Sequence, residues 1–132
     1  MRQHAASGSP LEPIIGFSRA VRTGPVVVVA GTAPIAAEGG TSGVGDVAAQ
    51  TRRCFDIALA ALAEVGAGRE HVTRTRMMLT DITRWREAAD VHGEYFRDVR
   101  PACTFVEVKG FIDPDWLVEV EIDAYVHDEP AG

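Results

Sequence analysis

The sequence predicts an α+β protein of two layers, a sheet of about six strands with two helices covering one of its faces. Three observations carry this. Residues 118–126 alternate strictly: Val118, Val120, Ile122, Ala124 and Val126 point one way, and Glu119, Glu121, Asp123 and Tyr125 the other. That is the period of two of a strand with one apolar and one polar face. Residues 46–65 and 84–97 instead carry apolar side chains at helical spacing. The order β-β-β-α-β-α-β-β then leaves both helices to share one side of the sheet.

Residues 1–12 read as a flexible N-terminal tail and 13–128 as a single domain. Ile14 to Ser18 and Ala20 to Arg22 read as a strand pair or one bent strand. Residues 25–30, with four valines between Gly24 and Gly31, read as a central strand buried on both faces. Gly31 closes it, and Gly39, Gly40, Gly43 and Gly45 mark a loop of the kind that rims a site. Asp46 can cap the first long helix, whose buried stripe is Val47, Cys54, Ala58, Ala61, Leu62 and Val65 and whose end is Gly66 or Gly68. A strand follows over 72–79. Thr83 can cap the second helix, with Trp85, Ala88, Ala89, His92 and Phe96 facing inward. Pro101 then forces Arg100 toward extended geometry and starts the next strand.

At 132 residues the chain is one domain with enough interior to fold without staples. Its net charge of −6 argues against a nucleic-acid groove, which needs a clustered basic surface. No apolar run approaches the ~20 residues of a membrane span. The first twelve residues carry no signal-peptide pattern, so Cys54 and Cys103 are expected as reduced thiols in a cytoplasm. Glu119, Glu121 and Asp123 crowd one strand face, which must therefore meet solvent, cations or a partner subunit. A closed oligomer burying the free sheet face would satisfy both that strand and the valine-rich one.

Several segments together resemble the Rid family (RidA-like proteins, formerly YjgF) over nearly the whole chain. They are Gly16-Phe17-Ser18-Arg19-Ala20-Val21, Val29-Ala30-Gly31-Thr32-Ala33-Pro34, Gln50, Leu79-Thr80-Asp81, Tyr95-Phe96, Pro101-Ala102-Cys103-Thr104 and Val118-Glu119-Val120-Glu121. The resemblance implies a chorismate-mutase-like fold with a mixed sheet, assembled as a homotrimer with a small-molecule cleft at each subunit interface. It also implies hydrolysis of imines and enamines without a cofactor; the charge and the short apolar runs, for their part, lead us to expect no nucleic-acid or membrane partner. The family's older labels, endoribonuclease L-PSP and translation inhibitor, fit the acidic charge poorly.

Cys103 departs from the family's deaminases, where the resemblance puts an arginine that grips the substrate carboxylate. A thiol offers one weak donor and no charge. Losing two charge-assisted bonds of ~1.5–3 kcal/mol each weakens that grip by a factor on the order of hundreds to thousands. Phe17 stands where a tyrosine is typical, and Ala89 where an asparagine is expected. Glu119 survives as the residue that would hold the attacking water. The expected site is therefore catalytic Glu119, with Phe17, Gly31, Thr32, Cys103 and Thr104 shaping the pocket and no metal. The expected reaction is hydrolysis of an imine, enamine or related compound, but not standard 2-iminoalkanoate deamination. A binding or regulatory trimer without chemistry is the alternative.

Each residue also has a plainer reading. Cys103 is a nucleophile only if a base or cation lowers its pKa, and otherwise a small apolar wall. Glu119 is a general base or a solvated carboxylate. The backbone donors of Gly31 and Thr32 polarise a reacting atom or simply make a turn. Arg74 and Arg76 replace the lost cation or form surface ion pairs. His92 reads as a packed, hydrogen-bonded histidine.

Overall fold

The computed structural model describes residues 2–127. Six strands, β1 (Arg2–Ala5), β2 (Ala20–Thr23), β3 (Val26–Thr32), β4 (Val72–Leu79), β5 (Ala102–Glu107) and β6 (Val118–Tyr125), form one sheet in the order β1-β2-β3-β6-β4-β5. Only β4 and β5 run parallel. Parallel neighbours need a crossover, and α3 (Trp85–Phe96) supplies it. The longer α2 (Val47–Glu64) links β3 to β4, and β6 slots between those two strands as their antiparallel neighbour. The predicted mixed sheet with two helices is thus observed.

Burial follows the alternation of β6. Val118, Val120, Ile122 and Ala124 are buried against α2, while Glu119, Glu121 and Asp123 lie half-buried on the other face. Val27, Phe55, Leu62, Met77 and Ile122 make the centre of the core, each with essentially no exposed surface. Asp46 caps α2 as expected, accepting from the Ala49 N–H at 3.0 Å.

Several local expectations are corrected. Residues 2–5 are not a loose tail; they add β1 to the sheet edge by pairing with β2, and Ala5 is buried. Residues 14–18 are not a strand, because Leu11–Ile15 forms a short helix, α1, which Gly16 ends at φ 87°. Strand β3 is buried on one face only: Val27 and Val29 are inside, but Val26 and Val28 are 49% and 45% exposed. A valine run reads as two-sided burial only when a layer covers both faces, and here one layer of helices exists. Thr83 is not the cap; Asp81 is, accepting from the Thr83 N–H and opening a 3₁₀ turn, Ile82–Arg84, ahead of α3. Trp85 therefore sits half-exposed with its ring edge on Phe105, and Val91 takes the inner place beside Ala88 and Phe96. Arg100 is not extended but left-handed (φ 57°), because its N–H closes the end of α3 on the Phe96 carbonyl at 2.8 Å.

Candidate functional site

The site forms where β3 bulges. Its register with β6 shifts between Val29 and Thr32, just where Glu119 of β6 passes on the outer face. A Cβ at Gly31 would lie 3.0 Å from Glu119 Oε1, so glycine is what lets the carboxylate close on this backbone. The carboxylate opens onto a cleft of about 240 Å³ whose apolar lining includes Leu11, Ile15, Phe17, Ile112 and Trp116.

Arg19 lies at the floor of this cleft, only 4% exposed. Its guanidinium is held on three sides: Nε donates to Ser7 Oγ at 3.0 Å, and Nη1 to the Gly31 carbonyl at 2.6 Å and Thr32 Oγ1 at 3.3 Å. The Phe17 ring lies over it with the centroid 5.1 Å away. Behind it, Glu12 accepts from the Ser7 hydroxyl at 2.7 Å and the Ser9 N–H at 3.0 Å. A buried chain of carboxylate, hydroxyl and guanidinium thus ties α1 to the bulge.

Charges follow from this packing. Burial pushes the Glu119 carboxyl above its usual range; Arg19 opposes the shift and Glu121 adds to it. Burial lowers Arg19, and the charges of Glu12 and Glu119 offset part of that. Burial also acts upward on Glu12, but its bonds from Ser7 and Ser9, with Arg19, outweigh it and hold this carboxyl below the ordinary range. The remaining acids of the β6 face meet Arg76, which lies 3.5 Å from both Glu121 and Asp123. Among the described residues no group of three or more histidine, cysteine or acidic side chains is placed to hold a metal ion.

The predicted site residues divide. Phe17, Gly31 and Glu119 share the cleft. Thr32 lies beneath it, its hydroxyl donating to the Ala30 carbonyl at 2.8 Å and accepting from Arg19. Gly31 and Thr32 belong to the strand and make no turn. Cys103 and Thr104 lie elsewhere in the protomer, on edge strand β5. Cys103 pairs with Thr75, whose side chain faces the helices, whereas Glu119 pairs with Met78 on the opposite face. One protomer cannot bring position 103 to Glu119, and an interface between subunits is the one arrangement that could. Although Cys103 is exposed as a residue, partial burial of its thiol raises the pKa, and a Thr75 hydrogen bond only partly offsets this. A thiolate is therefore disfavoured. His92 reaches the same spot through Thr75, its Nε2 2.8 Å from the Thr75 hydroxyl, and burial lowers its pKa.

Two further residues belong to the site, and of these the sequence offers only Trp116, in the loop before the acidic strand, as a cleft wall or a core cap. Arg19 stood inside a quoted motif, yet its role depends on a bulge that no spacing announces. Trp116 is buried, and its Nε1 is the only sealed side-chain nitrogen or oxygen among the described residues without a partner. Gln50 secures the segment that carries Trp116: its amide donates to the Asp115 carbonyl at 2.9 Å and accepts from the Leu117 N–H at 2.8 Å.

A six-stranded mixed sheet backed by two helices, with a glutamate at the bulge beside β3, defines a Rid-type protein. The chain matches the family model described as Endoribonuclease L-PSP over residues 7–126, and it belongs to that family, which includes the Rid/YjgF proteins. A crystal structure of a YjgF/YER057c/UK114 family member from Mycobacterium tuberculosis is 48% identical with a TM-score of 0.88, over 96% of this chain and 100% of that one. An uncharacterized protein of Streptomyces coelicolor is 44% identical over 119 residues, 90% of this chain and 88% of its own length. The 3-aminoacrylate deaminase RutC of Acinetobacter baylyi is 32% identical over 119 residues, 90% of this chain and 93% of its own length.

Proposed function

We propose that this protein is a cofactor-independent hydrolase of an imine, enamine or related carbon–nitrogen compound, working in the cytoplasm as a homotrimer with its clefts shared between subunits. The observation that carries it is Glu119, a half-buried carboxyl of raised pKa against the Gly31 backbone, opening into a cleft of about 240 Å³. In that cleft the carboxylate takes a proton from water while the oxygen attacks the C=N carbon. The C=N electron pair goes to nitrogen, which takes that proton back to give the carbinolamine; the hydroxyl proton then passes through the carboxylate to nitrogen, the C–N bond breaks, and ammonia leaves a carbonyl product. The relative named for 3-aminoacrylate, itself an enamine by its chemistry, supports this reaction class.

Standard 2-iminoalkanoate deamination is not the reading, because Cys103 brings no cation to a shared cleft. The second reading, a trimer that binds a small molecule without turning it over, is favoured by the raised thiol pKa of Cys103 and its place across the sheet from Glu119.

The test is ketoacid release from enzymatically generated 2-aminoacrylate, with the natural chain and with Cys103→Arg. We expect the natural chain to be slow and Cys103→Arg to gain activity. Rates equal to those of an arginine-bearing deaminase in the natural chain would overturn the reading of position 103. Inactivity of both, on this and on other imines and enamines, would favour the binding reading.

A further inference from the structure

A second cleft, of about 300 Å³, adjoins the Glu119 cleft and shares Ser9, Arg19, Ala33 and Ile35 with it. Its charged lining is two arginines, Arg19 and Arg53, against one carboxylate, Glu38; Ser7, Ser9 and Thr32 add hydroxyls, and Ala33, Ala37 and Ile57 give it an apolar wall. Arg53 projects from α2, is partly buried, and pairs with no carboxylate among the described residues. Its Nε donates to the Ile35 carbonyl at 2.6 Å, which fixes the fork and leaves both terminal nitrogens without partners. Arg19 is fixed in the same manner by its Nε and Nη1 bonds, and its Nη2 is left over. Since Trp116 Nε1 is the only sealed and unpartnered atom among the described residues, Arg19 Nη2 meets solvent. Ser9 Oγ accepts from the Leu11 N–H at 3.3 Å and keeps its own proton free to donate.

Two guanidinium groups converging on one concavity repel each other, and a partly buried charge without a counter-ion is costly. Glu12 and Glu119 offset part of the Arg19 charge, and Glu38 stands exposed in the lining. Asp56 accepts from the Tyr95 hydroxyl at 2.6 Å, and Arg53 is left without an ion pair among the described residues. The free donors are few, rigid and backed by apolar surface, which is the make-up of a small-molecule site. Planar forks of this kind match an oxyanion.

We propose that this cleft is a binding site for a small metabolite carrying a carboxylate or phosphate, gripped by Arg53 and the free edge of Arg19. It adjoins the Glu119 cleft through Arg19 but does not include Glu119, and it stands whether or not Glu119 catalyses hydrolysis. The volume, at the small end for ligand sites, suits a compact metabolite and not a dinucleotide.

The experiment titrates inorganic phosphate and, separately, succinate into the full-length chain at constant ionic strength. Binding is followed calorimetrically and by the guanidinium Nε–Hε resonances of the ¹⁵N-labelled protein. We expect saturable binding of at least one probe, with the Arg19 and Arg53 resonances both moving; which probe binds tells carboxylate from phosphate. Arg53→Gln should weaken that binding by ~10- to 100-fold, the loss of one charge-assisted fork, and Arg86→Gln, on the exposed side of α3, should leave it unchanged. No saturation with either probe, a stationary Arg19 or Arg53 resonance in the natural chain, or equal affinity in a folded Arg53→Gln would overturn the proposal.

Discussion

At the scale of single residues, Glu119 couples activity to stability. Its carboxyl is raised by burial in the folded protein, so folding favours its protonated form. The folded state then binds more protons than the unfolded chain, and stability declines as pH rises from the ordinary glutamate value through the raised one. Glu119→Gln keeps the shape and removes the charge. It should lose ~10²- to 10⁴-fold in hydrolysis while melting at a higher temperature than the natural chain at neutral pH, read by paired rate and thermal-denaturation measurements. A variant equally active, or less stable at that pH, would sink the assignment of Glu119 as a base held in a partly dry site. The pH–rate profile should show an acid limb above the usual carboxylate range, since the reactive form is the anion. Gly31→Ala probes the same contact from the other strand. Its new methyl meets Glu119 Oε1 at 3.0 Å, so activity should fall with the fold retained, checked by rate together with circular dichroism.

At the scale of elements, α2 and α3 are held to the sheet by different means. Leu62 of α2 is fully buried, and Leu62→Ala should cost about 2–5 kcal/mol in chemical denaturation. Against α3, the aromatic rings of His92, Phe55 and Phe96 pack together, and His92 also bonds Thr75. Burial depresses the His92 pKa, so the unfolded chain takes up a proton that the folded chain refuses. Stability should therefore fall as pH drops from about 6.5 toward the lower folded value. His92→Gln should flatten the dependence of the melting temperature over that window, and an unchanged slope would show that His92 does not govern it. Element positions were largely legible because hydrophobic period and capping are local: β4, β6 and α2 stand where their patterns put them. Strand β1 and helix α1 were not legible. Arg2–Ala5 carries little apolar signal and is a strand because β2 offers it an edge, and Leu11–Ile15 is too short for a helical period to separate from a strand.

At the scale of the whole molecule, the outer sheet face is where assembly would act. Val26, Val28 and Tyr125 lie there, each 45–49% exposed, beside the Arg76 ion pairs. Solvent-facing valines in the middle of a sheet are what a closed oligomer would cover. If three copies pack through this face, Val28→Glu should convert the trimer to monomer in sedimentation equilibrium and lower the melting temperature together. A natural chain that sediments as a monomer would remove both the shared cleft and any part for position 103 in it. The same arrangement explains why half of the candidate site was readable. Phe17, Gly31 and Glu119 belong to segments that meet within one protomer, whereas Cys103 and Thr104 lie on strand β5, away from that cleft.

The sequence by itself determined the two-layer architecture, the polar and apolar faces of β6, and the family. All of these are carried by residue type at fixed spacing along one chain. Tertiary structure alone decided that Glu119 sits in a partly dry cleft, that Gly31 is where it closes on β3, and that Arg19 and Arg53 converge on a second concavity. A bulge, a burial and a meeting of charges each depend on which strands and loops become neighbours, and neighbourhood in space is set by the packed whole and not by separation along the chain.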